Sequence, residues 1–141
     1  MKRTVLISIV AMLAGILVTT QAAAATKPSP FIGVWQGIDV TDGSLMTFTL
    51  SGNGHFVLYD QHAQKCFTPS GASGAPITLK GTATIAGTTL TWTALSARCE
   101  DGSVPFSVGG SSEFFYKRAT DTMFSTVASW GQKSTWHRIR R

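Results

Sequence analysis

The feature that most constrains this chain is a two-residue alternation of side chains, cut at short intervals by Gly, Asn and Asp. Met46, Phe48 and Leu50 alternate with Leu45, Thr47 and Thr49, and Phe56 and Leu58 alternate with His55, Val57 and Tyr59. Leu79, Ala83 and Ile85 alternate with Lys80, Thr82 and Thr84, and Leu90, Trp92 and Ala94 with Thr89, Thr91 and Thr93. Successive side chains of a strand point to opposite faces, so a period of two rich in Thr and aromatics predicts half-buried β-strands. The breaks at Asp42-Gly43, 51–54, Ala86-Gly87, Asp101-Gly102, Gly109-Gly110, 119–121 and 130–132 are turn chemistry. Gly, Asn and Asp tolerate the positive φ that tight hairpins require. Eight strands are expected, over 31–40, 44–50, 54–60, 78–85, 88–97, 112–118, 122–129 and 133–139.

Eight short strands with one apolar face each must close or stack, and hairpin connections favour an up-and-down order. The expected fold is all-β, an eight-stranded antiparallel up-and-down barrel, with a two-sheet β-sandwich as the alternative. One connection does not fit a hairpin. The stretch 61–77 holds Cys66, Pro69, Pro76 and a Gly-Ala-Ser-Gly run at 71–74. It is expected to cross or lid one end of the barrel.

The first 25 residues read as an address. Met1-Lys2-Arg3 is a basic start, Val5 to Val18 is apolar but for a few breaks, and Ala22 to Ala25 is small. This is the pattern of a secretory signal peptide cleaved near Ala25, and the apolar run is shorter than the ~20 residues that a spanning helix needs. Two segments follow: a signal peptide at 1–25 and a single domain at 26–141. Removing the leader takes the net charge from +5 to +3 and leaves 116 residues, enough for one core. The product is expected to be secreted or periplasmic, monomeric, without a stable membrane anchor. The remaining basic excess sits mostly in the tail His137-Arg138-Ile139-Arg140-Arg141, which reads as a solvated end. No basic face interleaved with aromatics is legible, so nucleic acid is not an expected partner.

Cys66 and Cys99 are an even pair in an oxidising compartment and are expected to form a disulfide. Closing a loop of about 34 residues would contribute roughly 3.5–4 kcal/mol on chain-entropy grounds. Chemistry is poorly represented. His55, His62 and His137 do not present three or four converging ligands, although Asp60 and His62 share a strand face, so no metal site is expected. No nucleophile elbow stands in a strand–turn–helix setting, and Glu100-Asp101 are adjacent in a turn and point apart. No catalytic residue and no cofactor are expected.

The opening "FIGVWQG" places Trp35 between Gly33 and Gly37 at the first strand. A narrow barrel end needs a large plug, and a guanidinium stacked on an indole adds roughly 0.5–2 kcal/mol. With Gly33-Val34-Trp35 at the start, Arg138 on the last strand and Thr120-Asp121-Thr122 in the turn before the seventh, the chain resembles a small member of the lipocalin/calycin group. The Tyr that follows Thr-Asp in lipocalins is Thr122 here, and no helix follows the barrel. The chain is also similar to small secreted bacterial proteins with GVWQG…WHRI patterns. The resemblance implies that Gly33, Trp35 and Arg138 close the barrel's base. It also implies a non-enzymatic binder of a small apolar or amphipathic molecule, with Phe48, Phe56, Trp92 and Phe114 as the pocket wall. The polar ligand set of the avidin branch does not map onto this chain, so biotin is not proposed. The alternative is a protein–protein module, such as an envelope inhibitor of a lysozyme or protease, or a structural envelope component. There the interior would be packed and the loop 61–76 would make the contact.

Overall fold

The computed structural model describes residues 27–62, 64–105, 111–127 and 132–140. The expected signal peptide and the turns expected at Gly109-Gly110 and 130–132 lie largely outside them. Eleven strands are described: β1 (Gly33–Ile38), β2 (Leu45–Leu50), β3 (His55–Asp60), β4 (Cys66–Thr68), β5 (Gly71–Ala72), β6 (Ile77–Ala86), β7 (Thr89–Cys99), β8 (Val104–Pro105), β9 (Ser111–Lys117), β10 (Thr122–Val127) and β11 (Gln132–Arg140). Eight of them close an antiparallel barrel in the order β1-β2-β3-β6-β7-β9-β10-β11, with β11 returning to β1. Every barrel strand is bonded to neighbours on both sides. This is the up-and-down barrel expected from the alternation, an architecture consistent with a calycin-like fold, and the sandwich alternative is set aside.

The alternation also fixes what lies inside. Trp35, Phe48, Phe56, Phe114, Trp136, Leu50, Leu90 and Met123 all point inward and are buried. An eight-stranded barrel is just wide enough for side chains to fill, and rings of this size fill it. Two glycines mark where rings press on the wall. A Cβ on Gly37 would stand 2.6 Å from the Trp136 ring, and one on Gly81 would stand 2.0 Å from the Thr93 carbonyl oxygen and 2.7 Å from the Phe56 ring. Gly81 sits where the β6–β7 register shifts, opposite Ala94, and the extra residue Leu95 is turned out to solvent.

The stretch 61–77 is more than a lid without structure. β4 and β5 form a small hairpin there, and β8, arriving from beyond β7, pairs with the other side of β4. The three strands make a separate short sheet at the end of the barrel where β3 and β7 finish. Cys66 on β4 is bonded to Cys99 at the last position of β7, with Cα atoms 5.9 Å apart. Cys66, Ala75, Ile77 and Cys99 form a second small core beneath this flap. Among the described residues no helix is long and apolar enough to cross a membrane.

Candidate functional site

Three regions carry the side chains that sequence reasoning singled out. The first is the base, where the chain enters β1. Gly33 opens this strand at φ 130, a conformation that suits glycine. Trp35 is fully buried and donates its indole N–H to the Phe31 carbonyl at 2.8 Å. The Arg138 guanidinium lies 4.1 Å from the centre of the Trp35 ring. Arg138 also donates to the carbonyls of Pro30 and Ile32 and forks onto the Asp121 carboxylate at 3.1–3.2 Å. Asp121 stands at φ 47 after a short 3-10 turn and accepts the Tyr116 hydroxyl at 3.0 Å. Thr120-Asp121 thus meets Arg138 through the carboxylate. A guanidinium with its donors committed in this way orders the entry segment, the turn before β10 and the last strand together.

The second region is the interior, where the expected pocket wall was placed. Phe48, Phe56, Trp92 and Phe114 do come together, and they do so as contacts with one another. Phe48 stacks on Phe56 at 5.3 Å and meets Phe114 edge-on at 5.2 Å. Trp92 meets Phe56 at 5.2 Å and Phe114 at 6.3 Å, and Trp136 closes on Phe114 at 5.3 Å. These spacings are those of packed aromatic cores. Two polar atoms in this cluster are unanswered: the indole N–H groups of Trp92 and Trp136 are buried without a hydrogen-bond partner. Native interiors rarely leave such donors unpaired, at a cost of about 1–3 kcal/mol each.

The third region is the flap and what holds it, and here the sequence reading missed the main groups. Lys65, next to Cys66, reaches the Asp39 carboxylate at 2.7 Å and the Asp60 carboxylate at 2.9 Å. Asp60 ends β3 at 0% exposure, and its other oxygen accepts the Ser44 hydroxyl at 2.5 Å. Asp39, just past β1, accepts the Thr41 N–H at 2.9 Å and its hydroxyl at 2.6 Å. Burial alone would raise the Asp39 pKa, but the hydrogen bonds from Lys65 and Thr41 outweigh it and hold it below its ordinary 3.8. Burial alone would lower Lys65, but the bond to Asp39 and the charge of Asp60 outweigh it and hold the ammonium above its ordinary 10.5. Three segments, the β1–β2 turn, the end of β3 and the flap, meet at one cation.

The remaining candidates fall into structural duties. Asp60 turns to Lys65 and Ser44, while the His62 ring bonds the Gly74 carbonyl at 2.7 Å and ties the flap across itself. Asp101 accepts both the N–H and the hydroxyl of Ser103, the turn chemistry expected of Glu100-Asp101. Above the disulfide, the short sheet lines up Ala72, Phe67 and Val104 as cross-strand partners. Phe67 is 38% and Val104 70% exposed, so the flap carries an apolar strip on its surface.

No protein-family model, no curated protein and no solved structure matches this chain.

Proposed function

We propose that this protein is a non-enzymatic binding module that acts through its flap on a protein partner outside the cytoplasm. The observation that carries the reading is the apolar strip of Ala72, Phe67 and Val104, exposed on a sheet anchored by the Cys66–Cys99 bond and the Lys65 ion pairs. Solvent-exposed apolar side chains grouped on a rigid support suit a protein contact, because little ordering entropy is lost when they are covered. The packed interior favours this reading over an internal cargo. An envelope inhibitor of a secreted hydrolase or a structural envelope component is the class it points to. We further propose membership of the calycin group, supported by the Arg138–Trp35 contact at the base, and export with cleavage of residues 1–25 near Ala25. The disulfide supports an oxidising compartment. The mature chain is read as a monomer.

The test is site-specific photo-cross-linking in the secreting cell, with the photoreactive group at Val104 and, as control, at Ile85 on the opposite end of the barrel. The reading expects a discrete cross-linked species from position 104 alone. No species from 104, or the same species from both, would overturn it.

A second reading is favoured by one specific observation. The paired indole donors of Trp92 and Trp136, flanking Phe114, would suit a small, mostly apolar molecule with a hydrogen-bond acceptor. It predicts that the two indole N–H resonances differ between protein isolated natively and protein refolded from denaturant. Identical resonances would remove it.

A further inference from the structure

The outer surface of β9, β10 and β11 carries chemistry that neither the core nor the flap uses. Phe115 and Phe124 are cross-strand partners, and their rings stack at 5.3 Å with an angle of 26°. Neither belongs to the interior cluster. Thr135 on β11 completes that row opposite Phe124. One step toward the base, Lys117, Thr122 and His137 form a second row across the same strands. On the far side of the rings, the Lys133 ammonium stands 5.4 Å from the Phe124 ring centre. A groove of about 510 Å3 runs over Lys117, Thr122, Phe124, Lys133, Thr135 and His137, and among the described residues no carboxylate lines it.

We propose that this face is a binding site for a carboxylated glycan, a chain of acidic sugars. Three features of this face fit that chemistry together. The cations Lys117 and Lys133 stand at either side of the aromatic row, placed for carboxylates that recur along a chain, and charge-assisted hydrogen bonds to carboxylate are the stronger kind. The Thr hydroxyls between them both donate and accept, as sugar hydroxyls do. The ring edges supply apolar surface for the C–H faces of a sugar. An acidic peptide fits less well. Each of the three strands is already paired on both sides, so a peptide cannot add as a strand and would lose its backbone contacts. A membrane surface fits less well too, because the two rings are half-buried and cover one another instead of protruding. This inference is independent of the flap reading.

The experiment is affinity electrophoresis of the mature chain in gels containing polygalacturonate, at low and high ionic strength. Parallel gels or mixtures hold neutral dextran, polyglutamate, a single-stranded oligonucleotide or phosphatidylglycerol vesicles. The proposal expects retardation by polygalacturonate that weakens with salt and is absent with dextran. The double variant K117Q/K133Q should bind on the order of tenfold more weakly, two exposed charge contacts being lost. F124L, which keeps every charge, should bind more weakly as well. Unchanged thermal unfolding of both variants excludes misfolding. Absence of retardation, wild-type retardation of K117Q/K133Q, or equal or stronger binding to polyglutamate, oligonucleotide or vesicles would each overturn it.

Discussion

The guanidinium of Arg138 lies over Trp35, 4.1 Å from the ring centre, and the same group holds the carbonyls of Pro30 and Ile32 and the carboxylate of Asp121. One side chain therefore closes the barrel base from three directions. Trp35 fills the space beneath it and is itself anchored to the Phe31 carbonyl.

Trp35→Ala should cost about 3–5 kcal/mol, the range for truncating a buried aromatic. Arg138→Ala should cost about 2–3 kcal/mol, because it removes the ring contact, the ion pair to Asp121 and the donors to two carbonyls. Arg138→Lys keeps the charge but not the fork, and should recover only part of that loss. Urea unfolding of the three variants measures all of this. An unchanged midpoint for Trp35→Ala would contradict the plug.

Gly81→Ala should be far more damaging than Gly87→Ala. A Cβ at 81 meets a backbone carbonyl at 2.0 Å, whereas one at 87 meets nothing within 4 Å and only the left-handed φ of 60 opposes it. The expected losses are about 3 kcal/mol or more against about 1–2 kcal/mol. Thermal unfolding of the pair gives the comparison.

Reducing the Cys66–Cys99 bond should lower stability by roughly 3.5–4 kcal/mol, given the loop it closes. The loss should be concentrated in the flap. Amide exchange should accelerate over 66–72 well before it does in β1 or β11.

The Lys65 cluster makes the flap sensitive at both ends of the pH scale. Asp39 has a folded pKa below 3.8, so its contribution is present above that value and lost as pH falls through the lowered pKa. Lys65 has a folded pKa above 10.5, so its contribution is present below that value and lost as pH rises through the raised pKa. Amide exchange of the flap, corrected for intrinsic rates, should therefore be slowest between these limits. Lys65→Met should cost about 2–3 kcal/mol, less than for a fully buried pair because Lys65 is partly exposed. The double variant with Asp60→Asn should cost less than the sum of the two.

The eight barrel strands were legible because four of them keep a period of two for several residues and the rest lie between turn residues of known geometry. The disulfide was legible from the cysteine count and the expected oxidising compartment, and the base from the resemblance that sets a basic residue of the last strand, Arg138, against Trp35. The flap sheet was not, since strands of two or three residues such as β5 and β8 are too short to show a period. The Lys65–Asp39–Asp60 cluster left no local signal either: Lys65 and Asp39 are 26 residues apart and meet only because a turn, a strand end and a pinned loop converge. Phe115 directly follows a core aromatic in the sequence, and only the register assigns Phe114 to the core and Phe115, with its partner Phe124, to the outer face.

The central claim is that a filled barrel serves as a scaffold for its flap. A native mass spectrum of the protein isolated from the cells that make it, taken before and after denaturation, tests it most directly. The account predicts the bare mass of the disulfide-bonded polypeptide in both spectra. A discrete additional mass that disappears on denaturing would contradict it and place a cargo beside Trp92 and Trp136.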